Sequence, residues 1–302
     1  MEAISAKYRE HFMKMLAQSR AQLEVGEHNV YQEGNAAILP FIDQIIEEYL
    51  LPGSGIRDIE NLEALFDAAK AGEPCLLLLE HFSNFDLPVI HYLLRKAGGK
   101  GPAIADAIVA IAGIKLSEES PVVAAFSEAY TRLVIYPSRS IEALKAGKHH
   151  DPKEIVAELM KSVTINRQSV KRLATLKTEG KLILVFPSGT RFRPWDPETG
   201  KGVREIDSYI KSFSKMCLIS INGSILRISQ SKDMTDDLLC KDRVVYGVSE
   251  PLSCEEFRAH IKHEHHHLTE DKKQAVADAI MEGLARIHAE VDAALPPLAA
   301  GS

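Results

Sequence analysis

Two short stretches of this 302-residue chain place reactive side chains directly after apolar runs. The first is Leu79-Glu80-His81-Phe82-Ser83-Asn84-Phe85-Asp86-Leu87-Pro88, which follows the run Cys75–Leu79. An imidazole with a carboxylate partner suits general-base work, because the carboxylate fixes the tautomer and stabilises the charge the ring gains. His81 and Asp86 equally suit a structural part, tethering a helix start with Ser83 or Asn84 as its cap and Pro88 in its first turn. The second stretch is Pro187-Ser188-Gly189-Thr190-Arg191-Phe192-Arg193-Pro194, after the apolar run Leu182–Phe186. Guanidinium groups on a glycine-containing turn, near backbone N–H groups, make a phosphate clamp. The Gly-x4-Gly-Lys-Ser/Thr spacing of a Walker loop is absent, so this is not a nucleotide P-loop.

The elements that must position these residues follow from periodicity. Short apolar runs at 75–79, 132–136, 181–186, 216–221 and 243–248 read as strands. Helical spacing fills the intervals at 61–71, 87–96 and 152–178, with a terminal helix at 271–294. Gly72 and the Gly98-Gly99 pair supply helix stops. Alternating strands and helices of these lengths predict an α/β fold, a sheet flanked by helices. Residues 1–58 read as a helical N-terminal segment, set off by the turn Leu51-Pro52-Gly53-Ser54-Gly55. Residues 59–302 then form the α/β domain. The stripe Ile38, Phe41, Ile42, Ile45, Ile46 and Tyr49 reads as helix core in preference to a membrane anchor.

Taken together, the two reactive stretches carry far more than either alone. His81 to Asp86 forms a His-x4-Asp signature, and Pro187-Ser188-Gly189-Thr190-Arg191 a Pro-x-Gly-x-Arg turn after a strand. In this the chain resembles the glycerolipid acyltransferase family. Ser188 stands where most members carry Glu, and the run Arg191-Phe192-Arg193-Pro194-Trp195 is most similar to the soluble, plastid-type glycerol-3-phosphate acyltransferases. Leu133 to Arg139 resembles the family's second block, and Lys148-His149-His150-Asp151-Pro152 resembles a Lys-His pair that contacts substrate phosphate in that branch. Leu218-Ile219-Ser220-Ile221-Asn222-Gly223 lacks the proline usual in the fourth block.

The resemblance implies a mixed sheet flanked by helices and acyl transfer from a thioester to the sn-1 hydroxyl of glycerol 3-phosphate. It implies His81 as the base and Asp86 as its orienting partner. Arg191 and Arg193 would hold the phosphate, with Arg139 competing against Lys148 and His149 for a further contact, and Ser188 and Gly189 would form the binding turn. No metal or organic cofactor is expected. The donor is acyl carrier protein or an acyl-coenzyme A. One rival reading is a 1-acylglycerol-3-phosphate or other His-x4-Asp acyltransferase, and another is a non-catalytic acyl-chain or lipid binder.

Composition narrows the classes. The formal net charge is −6, with 36 Lys and Arg against 42 Asp and Glu, which argues against a nucleic-acid partner. No apolar run approaches the ~18–20 residues of a membrane span, and no export signal is apparent. The four cysteines are far apart and form no Cys-x-x-Cys pair, which fits reduced thiols. The expected location is therefore cytoplasmic (stroma-like in a plastid), soluble or peripherally attached to a membrane. The cluster His263-Glu264-His265-His266-His267 reads as a solvated loop in preference to a metal site.

Overall fold

The computed structural model describes all residues except 22–23, 119, 147–151, 232, 265–270 and 298–302. It divides into two compact units. The first comprises Met1–Tyr8, Asp43–Ile108 and Lys177–Ser302, and the second Arg9–Ile42 and Val109–Leu176. Both are α/β with mixed sheets, as the alternating pattern predicts.

In the first unit the strand Cys75–Leu79 lies between Leu182–Val185 and Lys215–Asn222, parallel to both. Beyond Lys215–Asn222 come Val245–Val248, antiparallel to it, and then Gly55–Arg57. Leu252–Ser253 adds a short antiparallel pairing to Lys215–Asn222. Cys75–Leu79 and Leu182–Val185 are buried at every position, which is why they read as unbroken apolar runs without alternation. The pleat of Lys215–Asn222 divides its neighbours by face. Leu218, Ser220 and Asn222 turn towards the C-terminal helix Lys272–Ala294, where a Cβ at Gly283 would stand 2.7 Å from Leu218. Cys217 turns to the other face and meets the Asn61 carbonyl of helix Ile59–Lys70. The sheet is thus covered by a helix on each side.

In the second unit the strand Arg132–Ile135 pairs parallel with Ile108–Gly113 and antiparallel with Tyr31–Gln32. The Glu128 carboxylate gathers the Ser19 hydroxyl, the Arg20 N–H and the Asn35 amide, fixing the N-terminal segment of this unit. The long helix Pro152–Leu176 lies on Arg132–Ile135, tied by Asn166 to the Tyr136 N–H and carbonyl.

The strands at 75–79, 132–135, 182–185, 215–222 and 245–248 stand where periodicity predicts them, within two residues. Residues 1–58 are less purely helical than expected. Among the described residues they hold three helices and also the short strands Glu2–Ala3, Tyr31–Gln32 and Gly55–Arg57, whose brevity leaves no alternation to detect. Of the stripe, Ile38, Ile42, Ile45, Ile46 and Tyr49 are buried as core and Phe41 is half-buried.

Candidate active site

Parallel pairing with Leu78 opposite Val185 brings the ends of two strands to one edge of the sheet. Both chemistry-bearing stretches leave from there, the usual place for a ligand in an open α/β sheet. After Leu79 the chain turns into the helix Asp86–Lys96. The Asp86 carboxylate, 3% exposed, folds back over this connection. Its Oδ2 accepts from the Phe82 N–H at 2.7 Å, the Ser83 N–H at 2.8 Å and His81 Nδ1 at 2.9 Å. Ser83 Oγ accepts the Phe85 N–H at 2.9 Å, so Ser83 and not Asn84 steadies the helix start. One oxygen atom of Asp86 thus holds both the backbone of the connection and the His81 ring.

With Nδ1–H donated to Asp86, the basic lone pair of His81 lies on Nε2, which has no hydrogen-bond partner among the described residues. The ring stacks on Phe186 at 3.9 Å between centroids and 18° between planes, and its side chain is 17% exposed. Tyr246, fully buried, donates its hydroxyl to the Asp86 carbonyl at 2.7 Å and holds this end of the helix.

Phe186 opens the second stretch. The Gly189 N–H returns to the Phe186 carbonyl at 2.9 Å, closing a tight turn in which Gly189 adopts φ +64°, a conformation that favours glycine. Ser188 is buried and donates its hydroxyl to the Thr190 carbonyl at 2.6 Å, so its side chain shapes the turn. The Phe192 N–H donates to the His81 carbonyl at 2.8 Å, joining the two stretches backbone to backbone. Arg191 forms a mostly buried ion pair with Asp237, whose other oxygen accepts the Ser229 N–H. Arg193 is held more loosely, its guanidinium donating to Thr190 Oγ1 at 3.1 Å.

A family model described as Acyltransferase matches residues 55–217, more than half of the chain and both stretches. The chain belongs to the acyltransferase family. No curated protein sequence matches it significantly. Its class of reaction is transfer of an acyl group from a donor to an acceptor.

The sequence also points to further site residues of this acyltransferase. Arg139 is exposed on the helix Ser138–Ala146 of the second unit. Lys148 and His149 lie outside the described residues. His263 is exposed at the end of helix Cys254–Glu264, and His265, His266 and His267 also lie outside the described residues. Among the described residues no group of three or more His, Cys, Asp or Glu is placed to hold a metal. Nor is any helix among them long and apolar enough to cross a membrane.

Three polar residues at this edge escape a reading by motif. Glu80, directly before His81, is buried and its Oε2 accepts the Ile221 N–H at 2.7 Å and His288 Nδ1 at 2.9 Å. The Glu80 carboxylate raises the pKa of His288 above its ordinary value, against the opposing effect of burial. Asp237 is the third. An acid ending the apolar run at 75–79 is a visible signal for Glu80, since a carboxylate there must find partners. Nothing local marks His288 or Asp237.

Proposed function

We propose that this acyltransferase moves an acyl group from a thioester onto the sn-1 hydroxyl of glycerol 3-phosphate, giving 1-acylglycerol 3-phosphate. The donor is acyl carrier protein or acyl-coenzyme A. The observation that carries this reading is the pairing at one strand edge of an imidazole whose Nε2 is open with a turn bearing two arginines. The hydrogen bond from the Phe192 N–H to the His81 carbonyl holds base and cations in fixed relation.

His81 Nε2 takes the proton of the acceptor hydroxyl as its oxygen attacks the thioester carbonyl, and Asp86 stabilises the imidazolium that forms. The tetrahedral oxyanion collapses, the carbon–sulfur bond breaks, and the imidazolium returns its proton to the leaving thiolate. Transfer is direct, without an acyl group on the protein. Arg191 and Arg193 hold the acceptor phosphate and so position the hydroxyl. Arg191 is pre-oriented by Asp237, which reduces the ordering cost of binding. Ser188 and Gly189 supply the turn that points both arginines.

An acceptor panel tests the proposal, offering glycerol 3-phosphate, glycerol and 1-acylglycerol 3-phosphate with each donor type. Transfer to glycerol 3-phosphate, absent for glycerol, is the expected result. Transfer to 1-acylglycerol 3-phosphate alone would overturn the acceptor assignment. Unchanged transfer in His81→Ala would overturn the assigned base, and with it the mechanism.

A further inference from the structure

The helix Pro152–Leu176 turns a row of large apolar residues to solvent. Positions 156, 160, 163, 167 and 170 recur at spacings of four and three and share one face. That face carries Val156, Met160, Val163 and Val170, which are 59%, 66%, 65% and 67% exposed. The opposite face is buried and mixes Ser162 and Ser169 with Ile165 and Leu176. There Ser169 donates to the Val134 carbonyl at 2.5 Å, Asn166 bonds Tyr136, and Ser162 is buried beside Ile165. A helix that only served the core would place its valines inward and its serines outward. Four of the seven large hydrophobic residues exposed on the described chain lie on this single stripe.

The charges on the helix are as uneven as its apolar residues. It carries five cations and two acids, in a chain whose net charge is −6. Arg167 lies within the stripe, and Lys153 and Lys171 lie along one border of it, all exposed. Of the acids, Glu158 is turned inward to accept the Tyr136 hydroxyl at 2.8 Å, and Glu154 falls on the far side of the helix. A straight row of Val and Met spanning about 21 Å, with cations the only charged residues within it and along its border, complements a flat anionic surface better than a pocketed one.

We propose that this face docks the acyltransferase reversibly on an anionic lipid surface, with the valines and Met160 entering the headgroup boundary. Arg167, Lys153 and Lys171 keep their charged ends at the phosphates while their stems lie along the apolar edge. With so few large side chains the docking is shallow and depends on the anionic headgroups.

The test is flotation of the full chain with vesicles of phosphatidylcholine alone and of equal parts phosphatidylcholine and phosphatidylglycerol. Wild type should partition onto the anionic vesicles at least about tenfold more strongly, an advantage that high salt abolishes. Arg167→Gln with Lys171→Gln should weaken partition by roughly 30-fold. Val163→Asp with Val170→Asp should reduce it to the neutral-vesicle level, and Val163→Ser with Val170→Ser should do so partly, each with an unchanged melting temperature. Equal partition onto both vesicle types, or no effect of the substitutions, would overturn the proposal. So would a face that serves an acidic carrier protein instead. In that case the same variants lose transfer from acyl carrier protein in vesicle-free solution while keeping wild-type flotation.

Discussion

Replacing Asp86 by Asn removes one charge from the centre of the site while keeping its shape. Two backbone N–H groups, of Phe82 and Ser83, aim at Oδ2 and cannot rotate away. In Asp86→Asn the amide oxygen must therefore occupy that position, with the NH2 group where Oδ1 stood. His81 Nδ1–H then keeps an acceptor and the ring keeps its tautomer, so the loss is confined to the attraction between carboxylate and imidazolium. At the 2.9 Å separation, with an effective dielectric of about 20, two full charges attract by ~6 kcal/mol. With the proton about half transferred in the transition state and the amide dipole restoring part of the loss, ~2–3 kcal/mol remains, about 30- to 150-fold in kcat. KM should be nearly unchanged, because the charge that Asp86 stabilises develops only during the reaction. Asp86→Ala should fall further, about 1,000-fold or more, and should also lower stability, since three donors lose their acceptor. Release of the donor thiol, followed at saturating acceptor, measures both variants. If Asp86→Asn is as inactive as His81→Ala, or within twofold of wild type, the assigned role of the carboxylate is wrong.

Three further outcomes are expected. Burial, aided by Arg95, lowers the His91 pKa to about 4, and the Arg95 guanidinium donates to its Nδ1 at 3.2 Å, as suits a neutral ring. The unfolded chain, titrating near 6.5, binds that proton first, so about 3 kcal/mol of stability is lost as pH falls from 6.5 to about 4. Urea unfolding across that range should show a flatter acid limb in His91→Gln. His288 has the opposite sign. Its raised pKa stabilises the fold fully below 6.5, and that contribution is lost as pH climbs through the folded value. His288→Gln should therefore narrow its stability deficit on the alkaline side, and a deficit independent of pH would contradict the Glu80 pairing. Asp237→Ala leaves Arg191 mostly buried without its carboxylate, at a cost of ~3–5 kcal/mol, while Asp237→Asn should raise the acceptor KM more than it lowers kcat.

The strand Cys75–Leu79 was legible because it is buried on both faces, which compels five consecutive apolar residues. The strand Ile108–Gly113 was not, because its alanines and glycine dilute the same signal. The link between His81 and Asp86 was legible for a different reason. The two lie within one strand-to-helix connection, so the local backbone alone brings them within reach. The Arg191 turn was legible through its glycine, whose left-handed conformation few other residues adopt. Arg139, Lys148 and His149 rested on a sequence pattern alone.

What the sequence by itself determined is therefore the α/β class, the main strands, and the two short stretches whose chemistry depends only on near neighbours. Tertiary structure decided the partners. Glu80 meets His288 across 208 positions because the C-terminal helix lands on the face of Lys215–Asn222 that holds Asn222. Arg191 meets Asp237 across 46 positions because the chain returns to the turn only after another strand has formed. Whether the valines of helix Pro152–Leu176 face inward or outward was also decided there. A 3.6-residue period marks a stripe, but only packing against Arg132–Ile135 selects which stripe is buried.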